Sequence, residues 1–155
     1  MSFKFEKLEV WQMAMDYLDV VYEVAYLLPK DERFNLNDQM RRAATSVQLN
    51  IAEGSTGQTD DEQARFLGMS LRSLIETVAC LHQAIRQKQI SGDDVIKARN
   101  MYRQANQLMA KLQAMRNAIA PDRKWVREEQ VEYTIDIANV TDEEWLSSVV
   151  RRLSS

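Results

Sequence analysis

Turn formers are scarce in this chain: four glycines and two prolines in 155 residues. That excludes a fold of many short strands joined by tight turns and favours long helices. Cysteine occurs once, as Cys80, so no internal disulfide can form and a reducing cytoplasm is the expected compartment. The N-terminus, "MSFKFEKLEVWQ", carries charge from Lys4 onward and has no signal-peptide core. No apolar run approaches the ~20 residues that span a bilayer. Nor is there an excess of positive charge. The formal net charge is −3, which argues mildly against a strong nucleic-acid binder.

Good helix formers take the place of what is missing. Over about Lys7 to Leu28, the residues Leu8, Trp11, Met15, Leu18, Tyr22 and Ala25 recur at intervals of three and four. A second stripe of Val10, Ala14, Tyr17, Val21, Val24 and Leu28 runs beside it. Two stripes are more than an ordinary amphipathic helix needs, so this helix is central or partly covered by another subunit. Asn35 is placed to cap a second helix with the core stripe Leu36, Met40, Ala43, Val47 and Ile51, and Gly54 offers its stop. Thr59 and Glu62 form a capping-box pattern for a third helix running to about Gln89. Its stripe is Leu67, Leu71, Leu74, Val78, Leu81 and Ile85. Ser91 restarts the pattern with Val95, Ala98, Tyr102, Ala105, Met109, Leu112 and Ile119, ending at Pro121. Four long helices with short connections predict an all-α fold, an up-down-up-down four-helix bundle over residues 1–120.

Residues 121–155 are expected to form a C-terminal extension. Residues 131–137 alternate Val131, Tyr133, Ile135 and Ile137 with polar residues, a period of two that predicts a short extended segment. Thr141 and Glu144 then stand in capping-box register for a short helix over 142–153. Tyr133, Ile135, Trp145 and Leu146 are the candidate partner-recruiting residues. The extension carries five Lys/Arg against eight Asp/Glu, so the rest of the chain is neutral overall. Within it, Ser91 to Ala120 has a balance of +3. Lys97, Arg99, Arg103, Lys111 and Arg116 are therefore candidate phosphate contacts.

The stretch "QMRRAATSVQLNIAEGS", from Gln39 to Ser55, is oddly polar for a helix. Gln39, Arg42, Ser46, Asn50 and Glu53 follow three-four spacing at the edge of the buried face. The plain reading is a solvated flank. The sharper reading is a structural polar network, with Arg42, Asn50 and Glu53 mostly buried and bonded to other helices or subunits. Arg42 and Glu53 stand ~16 Å apart along the axis, so they cannot bond each other within one helix.

Three stretches together, "FEKLEVWQMA" at Phe5–Ala14, "QMRRAATSVQLNIAEGS" at Gln39–Ser55 and "FLGMSLRSLIETVACL" at Phe66–Leu81, resemble a bacterial four-helix-bundle family. That family includes the 23S ribosomal RNA intervening-sequence proteins and the accessory variability protein of diversity-generating retroelements. The resemblance covers roughly residues 3–118. It implies a protomer that assembles into a homopentamer, and in the retroelement members association with a reverse transcriptase and nucleic acid through a basic surface. The recurrent positions match Arg41, Arg42, Ala43, Ser46, Asn50, Glu53 and Gly54, as structural signatures. Two features depart from the pattern: Arg72 precedes Ser73 where a glycine is usual, and the chain is not strongly basic.

Little in the sequence points to catalysis. Cys80 and His82 lie ~200° apart around one helix, so they cannot form a nucleophile pair. No Glu-x-x-His pair, zinc-ligand cluster, phosphate loop or nucleophile elbow occurs. No cofactor and no metal site is expected. Three function classes remain: an oligomeric accessory protein that binds RNA, DNA or a nucleic-acid enzyme, a protein-only scaffold or adaptor whose extension recruits a partner protein, and an enzyme with a site assembled between subunits. The first is preferred, the second is its alternative, and Trp11, Met15 and Tyr22 are the expected oligomer interface.

Overall fold

The computed structural model describes residues 1–31, 35–123 and 140–155. Five α-helices occur among them: α1 (Glu9–Ala25), α2 (Leu36–Gly54), α3 (Asp60–Arg86), α4 (Val95–Ile119) and α5 (Asp142–Ser154). Two 3-10 turns, Lys4–Lys7 and Gly92–Asp94, precede α1 and α4. The described residues contain no strand. The extended segment expected at 131–137 lies outside them, together with Tyr133 and Ile135.

Local chemistry sets the helix ends. The Asn35 side chain accepts from the Asn37 amide at 2.9 Å and starts α2. Thr59 accepts from the Glu62 amide at 3.2 Å and starts α3. The Glu62 carboxylate closes back on the Gln58 amide, one residue earlier than a full capping box requires. Thr141 and Glu144 complete that box at α5. The third helix stops at Arg86, short of the expected Gln89. Lys88 takes a left-handed conformation (φ 58°), and the Gln89 amide bonds the Ala84 carbonyl at 3.0 Å. This is the chain reversal that normally ends a helix.

α1 packs on α2 and α4, and α3 packs on α2 and α4, so the four long helices enclose one core as a helical bundle. The expected α2 stripe is buried throughout. On α1 the second of the two stripes is the core: Val10, Ala14, Tyr17, Val21, Val24 and Leu28 are buried. Trp11, Met15, Leu18 and Tyr22 are only half-buried. On α4 the phase also differs from the sequence reading. Met101 and Leu108 are buried, whereas Tyr102, Met109 and Ile119 are half-buried.

α2 and α3 form the most extensive helix pair. The Ser70 hydroxyl donates to the Val47 carbonyl at 2.8 Å across this seam. At its end a side chain on Gly54 would place its Cβ 2.7 Å from the Cβ of Phe66. Gly54 is the last residue of α2, and its chemistry is one of space rather than of a left-handed stop. Across the bundle, the Tyr17 hydroxyl lies 2.6 Å from the Thr77 hydroxyl, and Thr77 donates to the Leu74 carbonyl at 2.6 Å. With the threonine proton so committed, Tyr17 is the donor of the pair. Both residues are buried, and burial pushes the tyrosine pKa far up.

Gly54→Ala is expected to cost about 1–3 kcal/mol, the usual cost of overpacking, because a backbone-anchored Cβ rather than a flexible tip must yield. Chemical denaturation of the variant measures it. Thr77→Val leaves the Tyr17 hydroxyl buried without its acceptor and is expected to cost about 1–3 kcal/mol. Tyr17→Phe/Thr77→Val together should cost less than the two single changes summed, which a double-mutant cycle in the same assay reads directly.

Candidate functional site

Helix geometry explains how the α2 polar line is distributed. At ~100° per residue, Asn50 lies ~60° around the helix from Val47, Ser46 ~100°, Glu53 ~120° and Arg42 ~140°. Burial follows that order. Asn50 is 9% exposed, Ser46 is half-buried, and Glu53 and Arg42 are exposed on the single chain. The Asn50 amide donates to the Ser46 carbonyl at 2.9 Å and to its hydroxyl at 3.0 Å. The Ser73 hydroxyl donates to the Ser46 hydroxyl at 2.9 Å, tying α3 to α2. A network therefore exists, built from Ser46, Asn50 and Ser73. One chain does not bury the expected ends of the line: Arg42 and Glu53 lie on its rim. Arg72, the departure noted before Ser73, points away from the seam and is exposed.

That rim opens into a groove lined by Tyr22, Arg42, Leu49, Asn50, Glu53 and Met69, among others. Leu49 is 47% and Met69 40% exposed, high for large apolar side chains beside a half-buried tyrosine. Arg41 stands over the Tyr22 ring at 5.8 Å and pairs with Asp38. Trp11, three turns back on α1, rests edge-on against Phe5 at 4.9 Å, and its indole donates to the Gln48 amide oxygen at 3.2 Å.

The five candidate phosphate contacts of α4 are dispersed. Arg116 is buried and packs near Gly68 of α3. Lys111 is exposed and pairs with Glu9 of α1 at 3.2 Å. Lys97, Arg99 and Arg103 share a second groove with Glu23, Ile96, Asn100 and Asp142. There Lys97 pairs with Asp94 at 3.3 Å, Arg99 with Asp142 of α5 at 2.9 Å, and Arg103 donates to Asn100 at 2.8 Å.

Asp142 reaches Arg99 because α5 lies against α3 and α4. Trp145 and Val149 are buried, and Leu146 is half-buried. The Trp145 ring meets Tyr102 edge-on at 6.0 Å, and Tyr102 stacks on His82 at 5.8 Å. Arg86 of α3 holds the far end through the Leu153 carbonyl at 2.7 Å. The sequence reading treated Trp145 as a recruiting residue. Its ring is in fact covered by the same chain, which the capping box and the i, i+4 spacing of Trp145 and Val149 alone do not reveal.

The remaining chemical candidates stand apart. Burial pushes the Cys80 thiol up to about 11, which leaves it a poor nucleophile. Among the described residues no group of three or more His, Cys, Asp or Glu side chains could hold a metal. No helix among them is long and apolar enough to cross a membrane.

His82 supplies a pH prediction. Burial, and then the positive charge of Arg152 on α5, lower its pKa, and its ring Nε2 is buried without a hydrogen-bond partner among the described residues. The unfolded chain therefore takes up the proton more readily than the folded one. This contribution to stability is whole above the unfolded pKa of about 6.5 and falls as pH drops below it. His82→Gln should flatten that slope between pH 7 and pH 5 in thermal melts.

No curated protein matches the chain at a significant level. A family model, that of the 23S rRNA-intervening sequence protein, matches residues 6–114, over half the chain and all four long helices but for the end of α4. The three quoted motifs, the α2–α3 seam that they build and this match agree, and the chain belongs to the 23S rRNA-intervening sequence protein family.

Proposed function

We propose that this protein is a non-enzymatic, self-associating accessory protein of the cytoplasm, an up-down-up-down four-helix bundle (residues 1–120) with a C-terminal extension (121–155). The observation that carries it is the incomplete burial of one face. Trp11, Met15 and Tyr22 on α1 are half-buried, and Tyr22 continues into the groove with exposed Leu49 and Met69. The family-signature side chains Arg42 and Glu53 sit on that rim with no ion pair to another described residue. A second copy supplying apolar surface and opposite charge accounts for all of them, and a ring of five is the proposed assembly. The short connection at 55–59 supports antiparallel order for α2 and α3.

The groove of Lys97, Arg99, Asn100 and Arg103 supports a second element of the reading. It gathers three cations and an amide within about two turns of helix, beside the carboxylates of Glu23 and Asp142. We propose that it contacts the phosphate backbone of RNA or DNA, and that a reverse transcriptase of the kind implied by the family resemblance is a further partner. The alternative is a protein-only scaffold that recruits its partner through the extension, by the outer face of α5, where Val150 is 43% exposed.

Leu49→Glu tests the assembly. The side chain is exposed on one chain, so the helical circular dichroism of the variant should match the parent. Sedimentation velocity should show the parent as an oligomer and the variant shifted toward monomer. A parent that sediments as a monomer at micromolar concentration, or a variant that assembles unchanged, would remove this face as the interface.

A further inference from the structure

The groove on α4 already holds carboxylates of the chain itself, Glu23 of α1 and Asp142 of α5. The Asp142 carboxylate lies 2.9 Å from Nη1 of Arg99, in a groove that also presents Lys97, Asn100 and Arg103. A carboxylate on a guanidinium uses the same charge-assisted hydrogen bonds that a phosphate oxygen would use. The Arg99 side chain is only 18% exposed, so a phosphate could reach it fully only after Asp142 moves.

α5 is built to put that carboxylate there and to let it leave. Its first turn is Asp142, Glu143 and Glu144, beside a stretch of α4 that carries Lys97, Arg99 and Arg103. Its attachment is small. Two side chains, Trp145 and Val149, are buried, and Leu146 and Leu153 pack half-buried beside them; Arg86 bonds the last turn, and Arg99 bonds the first. A helix with two buried side chains opens more readily than the four long helices, which bury six or more each.

We propose that α5 is an internal competitor for the α4 anion groove. Asp142 occupies the position of a backbone phosphate on Arg99, and nucleic acid binds by displacing the first turn of α5. This rests on the nucleic-acid element of the reading above and adds its regulation. A partner that lifts α5 away through its exposed face raises the affinity of the groove, and one that pins α5 down lowers it.

The test uses the full chain and a fluorescent 20-nucleotide single-stranded RNA or DNA, titrated at low salt by anisotropy. Asp142→Asn removes the competing charge and keeps the side chain's size. It is expected to tighten binding about fivefold, the scale of a partly exposed ion pair. Glu143→Gln makes the same change of net charge at an exposed neighbour that forms no ion pair with a described residue. It should change affinity far less. Arg99→Glu/Arg103→Glu should abolish binding. In the parent, saturating oligonucleotide should raise hydrogen exchange of the α5 amides.

Equal tightening by Asp142→Asn and Glu143→Gln would overturn the proposal in favour of a general charge effect. Binding identical in the parent and in Asp142→Asn, yet lost in Arg99→Glu/Arg103→Glu, would overturn the competitor and leave the groove standing. Binding indifferent to Arg99→Glu/Arg103→Glu would place the site elsewhere and overturn it as well. An absence of binding in every variant would remove both the competitor and the nucleic-acid reading on which it rests.

Discussion

The close approach of α2 to α3 is the constraint on which the rest of the bundle depends. It requires small or hydroxylated residues where the helices meet, and the chain provides Ser46 and Gly54 on one side and Ser70 and Ser73 on the other. Serine hydroxyls occupy little more room than a methyl group and can bond a carbonyl or one another across the gap. The seam is thus narrow and polar without leaving its hydroxyls stranded. Because α2 is seated so deeply, its rim positions turn outward. The exposure of Arg42, Leu49 and Glu53 is a consequence of the seam as much as of any partner that covers them.

Sequence periodicity was sufficient for the core stripe of α2, Leu36, Met40, Ala43, Val47 and Ile51. It located the caps at Asn35, Thr59 and Thr141, because each depends on a side chain bonding an amide only two or three residues away. It did not choose between the two stripes of α1. Both are apolar, and the choice is made by the neighbouring helices, which periodicity does not contain. On α4 the same weakness appears as a phase error at Met101 and Leu108. Small, aromatic and charged residues are mixed around that helix, and Arg116, chosen for its charge, is buried.

The candidate surfaces were legible as residues and not as neighbourhoods. Charge counting found Lys97, Arg99 and Arg103, which do share a groove. It could not show that Asp142, forty-three residues from Arg99, completes that groove. The extension looked like free recruiting surface because an amphipathic helix in isolation does not reveal whether its own chain covers it. Here Trp145 fills a place beside Tyr102 and His82 that α3 and α4 leave open. The carboxylate on Arg99 and the indole on Tyr102 both come from the first turn of α5.

The Tyr17–Thr77 hydrogen bond also fixes the register of α1. A slide of α1 by one turn in either direction would bring Met13 or Val21 opposite Thr77. Neither can donate to its hydroxyl, and the tyrosine hydroxyl would be carried away among hydrocarbon side chains. An apolar core alone tolerates such a slide, since one aliphatic residue replaces another at similar volume. A single tyrosine with one available acceptor makes the displaced arrangements unequal to the native one. It thereby sets the height along the bundle at which Trp11, Met15 and Tyr22 of α1 stand.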